Sequence, residues 1–205
     1  MSSFRRILIN VLQPIVRNIG HVYSPWSRKK ITSKDFFDLA PKLKPGHIFV
    51  TRTEGELSTA FIPGYYGHAA IYLGNNMVIE AVSPKVRQTD LINFMLTKDE
   101  IIVREPIYSD ENGMKWAAEW ALKNAIDLPY DMYFEAYKKI PGPIKTPIKA
   151  FYCSKLVWAA YEEEATFKGL QGCVFEPRAT LGEPTITPDD IAKADKKFKT
   201  IWKSV

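Results

Sequence analysis

Acidic residues are missing from the first thirty positions of this 205-residue chain. Arg5, Arg6, Arg17, Arg28, Lys29 and Lys30 stand there without an Asp or Glu, so the formal net charge of +5 belongs mostly to that segment. The rest of the chain is close to neutral and has no basic stripe with interleaved aromatics, which argues against a nucleic-acid enzyme with a basic groove. Long hydrophobic runs are missing too. No apolar stretch reaches the roughly 18–20 residues that span a bilayer, which argues against a membrane-embedded transporter. Cysteine is scarce, with only Cys153 and Cys173. Their contexts differ so much that separate thiols are expected, which suits a reducing compartment or a catalytic role. The three histidines and two cysteines show no zinc spacing, so no metal is implied, and nothing in the chain calls for a cofactor. What is present is ordinary for a folded chain of this length: 46% hydrophobic and 25% charged residues, with a single domain as the default.

In the basic segment, Ile7, Leu8, Val11, Leu12, Ile15, Val16 and Ile19 recur at spacings of three and four, which is helical. Three readings stand. It is a membrane-surface helix with arginines on lipid phosphates, a signal peptide, or an ordinary helix packed on the domain. Asn10, Gln13 and Pro14 interrupt the apolar stretch and no small-x-small cleavage site follows, which weakens the second reading. The chain thus divides into residues 1–30, a basic amphipathic helix or connector, and residues 31–205, a single domain. Cytoplasmic or membrane-peripheral placement is favoured over secretion.

Residues 21–45 read as a basic connector with a short helix near Ser33–Leu39, Ser33 being its expected N-cap. After Pro45-Gly46 comes a β-rich run, His47-Ile-Phe-Val-Thr51. His68-Ala-Ala-Ile-Tyr-Leu73, a turn at Gly74-Asn-Asn76 and Met77-Val-Ile-Glu-Ala-Val82 give the strongest hairpin signal. Ile101–Glu105 is a further strand. Residues 113–126 are helical, with Trp116, Ala117, Trp120 and Ala121 on one stripe. Pro141 to Pro147 separate them from a second helix near Tyr152–Glu164, and Thr187-Pro-Asp-Asp190 starts a third. The stretches between and after these are read as loop.

Cys153 lies at the start of the second helix. A helix N-terminus presents unpaired N–H groups and positive partial charge, which favour a thiolate and can donate to a developing oxyanion. Set against this, a cysteine on an apolar face is a small hydrophobe. Cys173, in Gly-Leu-Gln-Gly-Cys-Val-Phe, has no helix start behind it and reads as structural. A thiol nucleophile needs an imidazole. His21 is in the connector, while His47 and His68 both begin strands. Glu80 separates those two. A carboxylate between Ile79 and Ala81 costs free energy unless paired. Side chains alternate along strands, so a three-residue turn, Gly74–Asn76, sets Ala70 opposite Glu80 and makes His68 and Glu80 diagonal neighbours on one face. A two-residue turn puts them on opposite faces. The bland alternative pairs Glu80 with a surface Lys or Arg.

Leu43-Lys-Pro-Gly-His-Ile-Phe-Val50, Gly67-His-Ala-Ala-Ile-Tyr-Leu-Gly74, Val78-Ile-Glu-Ala81, Leu128-Pro-Tyr-Asp131, Tyr152-Cys-Ser-Lys-Leu-Val157 and Ile186-Thr-Pro-Asp-Asp190 follow one another in this order. Together they resemble the circularly permuted papain-fold hydrolases, the YiiX-like branch of the NlpC superfamily, in which the histidine strand precedes the cysteine helix. The resemblance implies an α+β fold, with an antiparallel sheet or small barrel packed against helices and a nucleophile at a helix N-terminus. It implies Cys153 as nucleophile, His68 as general base and then acid, Glu80 as the residue orienting the imidazole, and Tyr130 as a support beside the oxyanion or substrate. The family typically has Cys-Ser-Glu where this chain has Cys153-Ser154-Lys155, and Lys155 is expected on the exposed side of its helix.

Three function classes follow. The first is a thiol amidase or peptidase acting on a small peptide, such as a cell-wall peptide, or an amino-acyl amide through an acyl-enzyme. The second is a lipid-directed acyl hydrolase, thioesterase or acyltransferase, which the basic segment and the aromatics Phe61, Tyr65, Tyr66, Tyr133 and Phe134 favour somewhat. The third is a non-catalytic binding module on the same fold, against which the intact Cys, His and Glu set argues. The expected partner is a small peptide or acyl substrate and not a nucleic acid. The sequence leaves oligomeric state open.

Overall fold

The structure is a computed structural model that describes residues 31–54, 62, 64–131, 148–168, 178–180 and 183–204. The readings made for residues 1–30, His21, Phe61, Tyr133, Phe134 and Cys173 lie outside the described residues.

The first described elements are α1, Ser33–Leu39, and a 3-10 turn at Ala40–Lys42. Thr32, not Ser33, is the N-cap. Asp35 closes a reciprocal cap by accepting from the Thr32 backbone N–H at 2.8 Å and from its hydroxyl at 2.6 Å. The strands β1 (Ile48–Arg52), β2 (His68–Gly74), β3 (Met77–Ala81), β4 (Val86–Asp90), β5 (Glu100–Pro106) and β8 (Phe198–Lys203) form one sheet in the order β4-β3-β2-β1-β5-β8. Every pairing in it is antiparallel. The sheet is open, so the barrel alternative does not hold. A two-stranded ribbon, β6 (Arg178–Thr180) with β7 (Glu183–Thr185), stands apart from it.

Both faces of the sheet are covered, and strand alternation sorts the side chains between them. Ile48, Val50, Ala69, Ile71 and Ile79 meet α3 (Glu111–Ala125) and α4 (Cys153–Phe167), through Ala117, Ala121, Leu156, Val157 and Ala160. Phe49, Ala70, Tyr72, Val78, Ile101 and Val103 meet Leu39 of α1 and Leu91, Phe94 and Met95 of α2 (Leu91–Leu96). Burial on both faces explains why His68–Leu73 reads as a nearly continuous apolar run. In α3 the small side chains Ala117, Ala118, Ala121 and Ala125 are buried, while Trp116 and Trp120 of the expected stripe are only half-buried.

Helix α4 is anchored at both ends. Near its C-terminus, buried Glu164 accepts from Ser109 at 2.9 Å and pairs with Lys168 at 2.9 Å, while Lys168 also reaches Asp110, the N-cap of α3. The Tyr161 hydroxyl donates to the Gly46 carbonyl. Near its N-terminus, the Ser154 hydroxyl donates to the Ile186 carbonyl at 2.7 Å.

Candidate active site

The β2–β3 hairpin turns through Asn75 and Asn76, both at positive φ, with Gly74 paired to Met77. This is a two-residue turn, not the expected three-residue one. Leu73 is the extra residue of a bulge between Tyr72 and Gly74, and it restores the register with Tyr72 opposite Val78 and Ala70 opposite Glu80. His68 and Glu80 therefore share a face. His68 Nε2 lies 2.9 Å from Glu80 Oε2.

Glu80 is buried and its other oxygen is equally occupied. Oε1 accepts from Thr89 Oγ1 at 2.6 Å and from Arg87 Nε and Nη2 at 3.2 and 3.1 Å. The surface-arginine pairing and the histidine pairing thus coexist. Burial alone would raise the Glu80 carboxyl, but the hydrogen bond and charge of His68, the charge of Lys98 and the Thr89 hydroxyl outweigh it. The group stays far below the usual carboxylate range.

With Nε2 on Glu80, the ring nitrogen left to face Cys153 is Nδ1. His68 hydrogen-bonds Cys153, the first residue of α4. The N-cap, Tyr152, has extended backbone and offers no side-chain acceptor to the first N–H groups of the helix. The sulfur takes advantage of this: the N–H groups of Ser154 and Ala69 both support its thiolate. Cys153 is buried, which alone would push its thiol up. The bond to and charge of His68, with those two N–H groups, outweigh burial and lower it from 9.0. Burial equally opposes a charged imidazole, yet Cys153 and Glu80 hold His68 up at about 9. Both shifts favour a thiolate beside an imidazolium.

His47 belongs to a different network. Its Nε2 lies 3.2 Å from Glu105 and its Nδ1 accepts from the Lys44 N–H at 3.1 Å. Burial lowers its pKa below 6.5. Tyr130 sits near the start of α4 through its backbone, which bridges Phe151 and donates to the Pro84 carbonyl at 2.9 Å. The sequence expectation for Lys155 is corrected. It is buried and pairs with buried Asp131 at 2.7 Å, its ammonium 5.8 Å from the Tyr152 ring centroid. The first turns of α4 are buried on every side, so this helix has no exposed face there for a charge. Asp131 N–H donates to the Phe151 carbonyl, so the pair also staples Leu128–Asp131 to the start of α4.

The segment containing α5 (Pro188–Ala192) joins the two halves of the site. Ile186 holds Ser154 beside the cysteine. Asp189 Oδ1 accepts from the Tyr65 and Tyr66 N–H groups at 3.0 and 2.9 Å, just ahead of His68. Sequence reasoning missed Arg87, Thr89 and Lys98 around Glu80 and His68.

A cysteine heading one helix and a histidine on a facing antiparallel strand, with the histidine earlier in the chain, define a cysteine hydrolase of permuted papain-like architecture. Residues 42–201 match the family described as permuted papain-like amidase enzyme, YaeF/YiiX, C92 family, and the chain belongs to it. Among solved structures, it resembles the crystal structure of metalloprotein yiiX from Escherichia coli O157:H7. The two are 18% identical with a TM-score of 0.58, over 78% of this chain and 97% of that one. At that identity the likeness shows the fold. No curated protein matches the chain. That relative is called a metalloprotein, but among the described residues here no three His, Cys, Asp or Glu side chains gather to hold a metal ion.

Proposed function

We propose that the protein is a thiol hydrolase that cleaves an amide bond in a small peptide or amino-acyl compound, with Cys153 as nucleophile. The observation behind this reading is the hydrogen-bonded chain from Cys153 through His68 to Glu80. The Cys153 thiolate attacks the scissile carbonyl carbon, and the carbonyl oxygen takes the negative charge near the open N-terminus of α4. Nδ1–H of His68 then protonates the leaving amine as the carbon–nitrogen bond breaks, leaving a thioester on Cys153. Neutral His68 takes a proton from water, the hydroxide adds to the thioester, and the acid departs with return of the thiolate–imidazolium pair. Glu80 keeps the ring oriented and favours its charged form throughout. Tyr130 is assigned a supporting place on the substrate side.

The lipid-directed alternative loses part of its basis. Tyr66 is buried, and Tyr65 is engaged by Glu100 and by the Arg52 guanidinium stacked on its ring at 4.1 Å. The test compares wild type and Cys153→Ala on short peptidyl coumarin amides and on matched fatty-acyl nitrophenyl esters. The expected result is amide turnover that falls by a factor on the order of 1,000 in Cys153→Ala. Turnover of esters alone transfers the assignment to a lipid acyl hydrolase. No turnover of either by a protein whose Cys153 alkylates rapidly leaves the binding-module class.

A further inference from the structure

The segment Leu128–Asp131 is bonded to both halves of the site. On one side it meets the connector between β3 and β4. The Val86 N–H donates to the Leu128 carbonyl at 2.9 Å, Lys85 bridges Pro129, and the Tyr130 N–H donates to the Pro84 carbonyl at 2.9 Å. That connector runs from the strand bearing Glu80 to the strand bearing Arg87, and Arg87 holds Glu80. On the other side the Phe151 N–H donates to the Pro129 carbonyl at 3.0 Å, and the Asp131 N–H donates to the Phe151 carbonyl at 2.9 Å.

Those backbone bonds end at Phe151, in the lead-in to α4. Asp131 reaches the helix itself, because its Oδ2 accepts from Lys155 Nζ at 2.7 Å. Lys155 lies in the same first turn as Cys153. A cation there faces the positive end of the helix dipole, so helix preference does not account for a lysine at this place. Stability does not account for it either, since a buried ion pair is often no better than an apolar contact of equal volume. What the pair adds is a fixed direction. The two side chains are only 8% and 6% exposed, and either one left without the other is a costly buried charge. The ammonium is therefore held in one place, and the turn that carries it is held too. Ser154, between Cys153 and Lys155, ties the same turn to the Ile186 carbonyl at 2.7 Å.

We infer that Asp131 is a positioning residue for the proposed reaction: through Lys155 it fixes the first turn of α4 against the β3–β4 connector and so holds the Cys153 sulfur in register with the His68 ring. The inference rests on the hydrolase reading above. Asp131 acts through Lys155 and the helix that carries it, not through its charge on the sulfur.

The test is the rate of Cys153 alkylation by iodoacetamide against pH, read by peptide mass spectrometry, in Asp131→Asn, Lys155→Met, Lys155→Arg and the double variant Asp131→Asn with Lys155→Met. Urea unfolding follows stability separately. A sulfur out of register loses the imidazolium that favours its thiolate, so the acid limb should rise by about one pH unit in both broken-pair variants and in the double variant. Lys155→Arg keeps the pair and should keep the wild-type limb. A direct field effect gives a different pattern. Loss of the Asp131 charge alone would lower the limb, loss of the Lys155 charge alone would raise it, and the double variant would leave it in place. That pattern overturns the inference, as does a wild-type limb in all the folded variants, which leaves the pair a role in stability alone. In both cases the hydrolase reading stands. Wild-type Cys153 that alkylates no faster than in the denatured chain overturns the hydrolase reading as well. Should the single variants fail to fold, the double variant, which strands no charge, decides by the same limb.

Discussion

Glu80 holds four donors with two oxygens: His68 Nε2, Thr89 Oγ1, and Nε and Nη2 of Arg87. A buried carboxylate so fully engaged keeps one geometry, which fixes the imidazole it bonds. Because Glu80 raises the His68 pKa, Glu80→Gln should lower the alkaline limb of Cys153 alkylation from about 9. The acid limb should rise toward the ordinary thiol range at the same time, as the imidazolium that stabilises the thiolate is lost. The iodoacetamide rate against pH reads both limbs, and turnover should fall on the order of 100-fold. Strand alternation and the oddity of an acid among apolar residues made His68 and Glu80 legible. Arg87 and Thr89 were not, because edge strand β4 is mostly polar and lacks an apolar rhythm. Lys155 misled for a related reason. Its partner Asp131 lies on a distant segment, and spacing along a helix cannot report a charge met from elsewhere.

At the scale of elements, the hairpin shows how one residue decides a site. The tight Asn75-Asn76 turn alone would set Glu80 on the face away from His68, and the Leu73 bulge reverses that outcome. The short segment around α5 has a comparable reach. Its Pro and acidic first turn were readable as a helix start, whereas its bonds to Ser154, Tyr65 and Tyr66 depend on tertiary placement. Asp189→Ala strips the acceptor from two backbone N–H groups just ahead of His68. It should cost about 2 kcal/mol in urea unfolding and slow Cys153 alkylation, since the base strand loses its tether. Alkylation at the wild-type rate in a destabilised Asp189→Ala protein would show that the tether serves stability alone.

The described residues form one open six-stranded antiparallel sheet with helices on both faces and a separate two-stranded ribbon, the α+β class that the resemblance implied. Strand β8 was not legible, since four of the eight residues Lys196–Lys203 are lysines and the stretch looks like a solvated tail. It is instead an edge strand, where lysines suppress unwanted pairing. Acid stability is a property of the entire fold. Glu80, Glu105 and Asp189 all have folded pKa values below their ordinary 4.5, 4.5 and 3.8. The unfolded chain therefore binds more protons as pH falls through that range, and stability present above it is lost toward the folded values. The thermal midpoint should decline progressively below about pH 4.5, and Glu80→Gln should flatten that decline. The chain order adds a consequence for biosynthesis. A ribosome releases the hairpin bearing His68 and Glu80 well before Cys153, and β8 after both. Until α4 docks on that hairpin, Cys153 lacks the His68 ring and the Ala69 N–H that lower its thiol, so the proposed nucleophile is assembled only after the hairpin is in place.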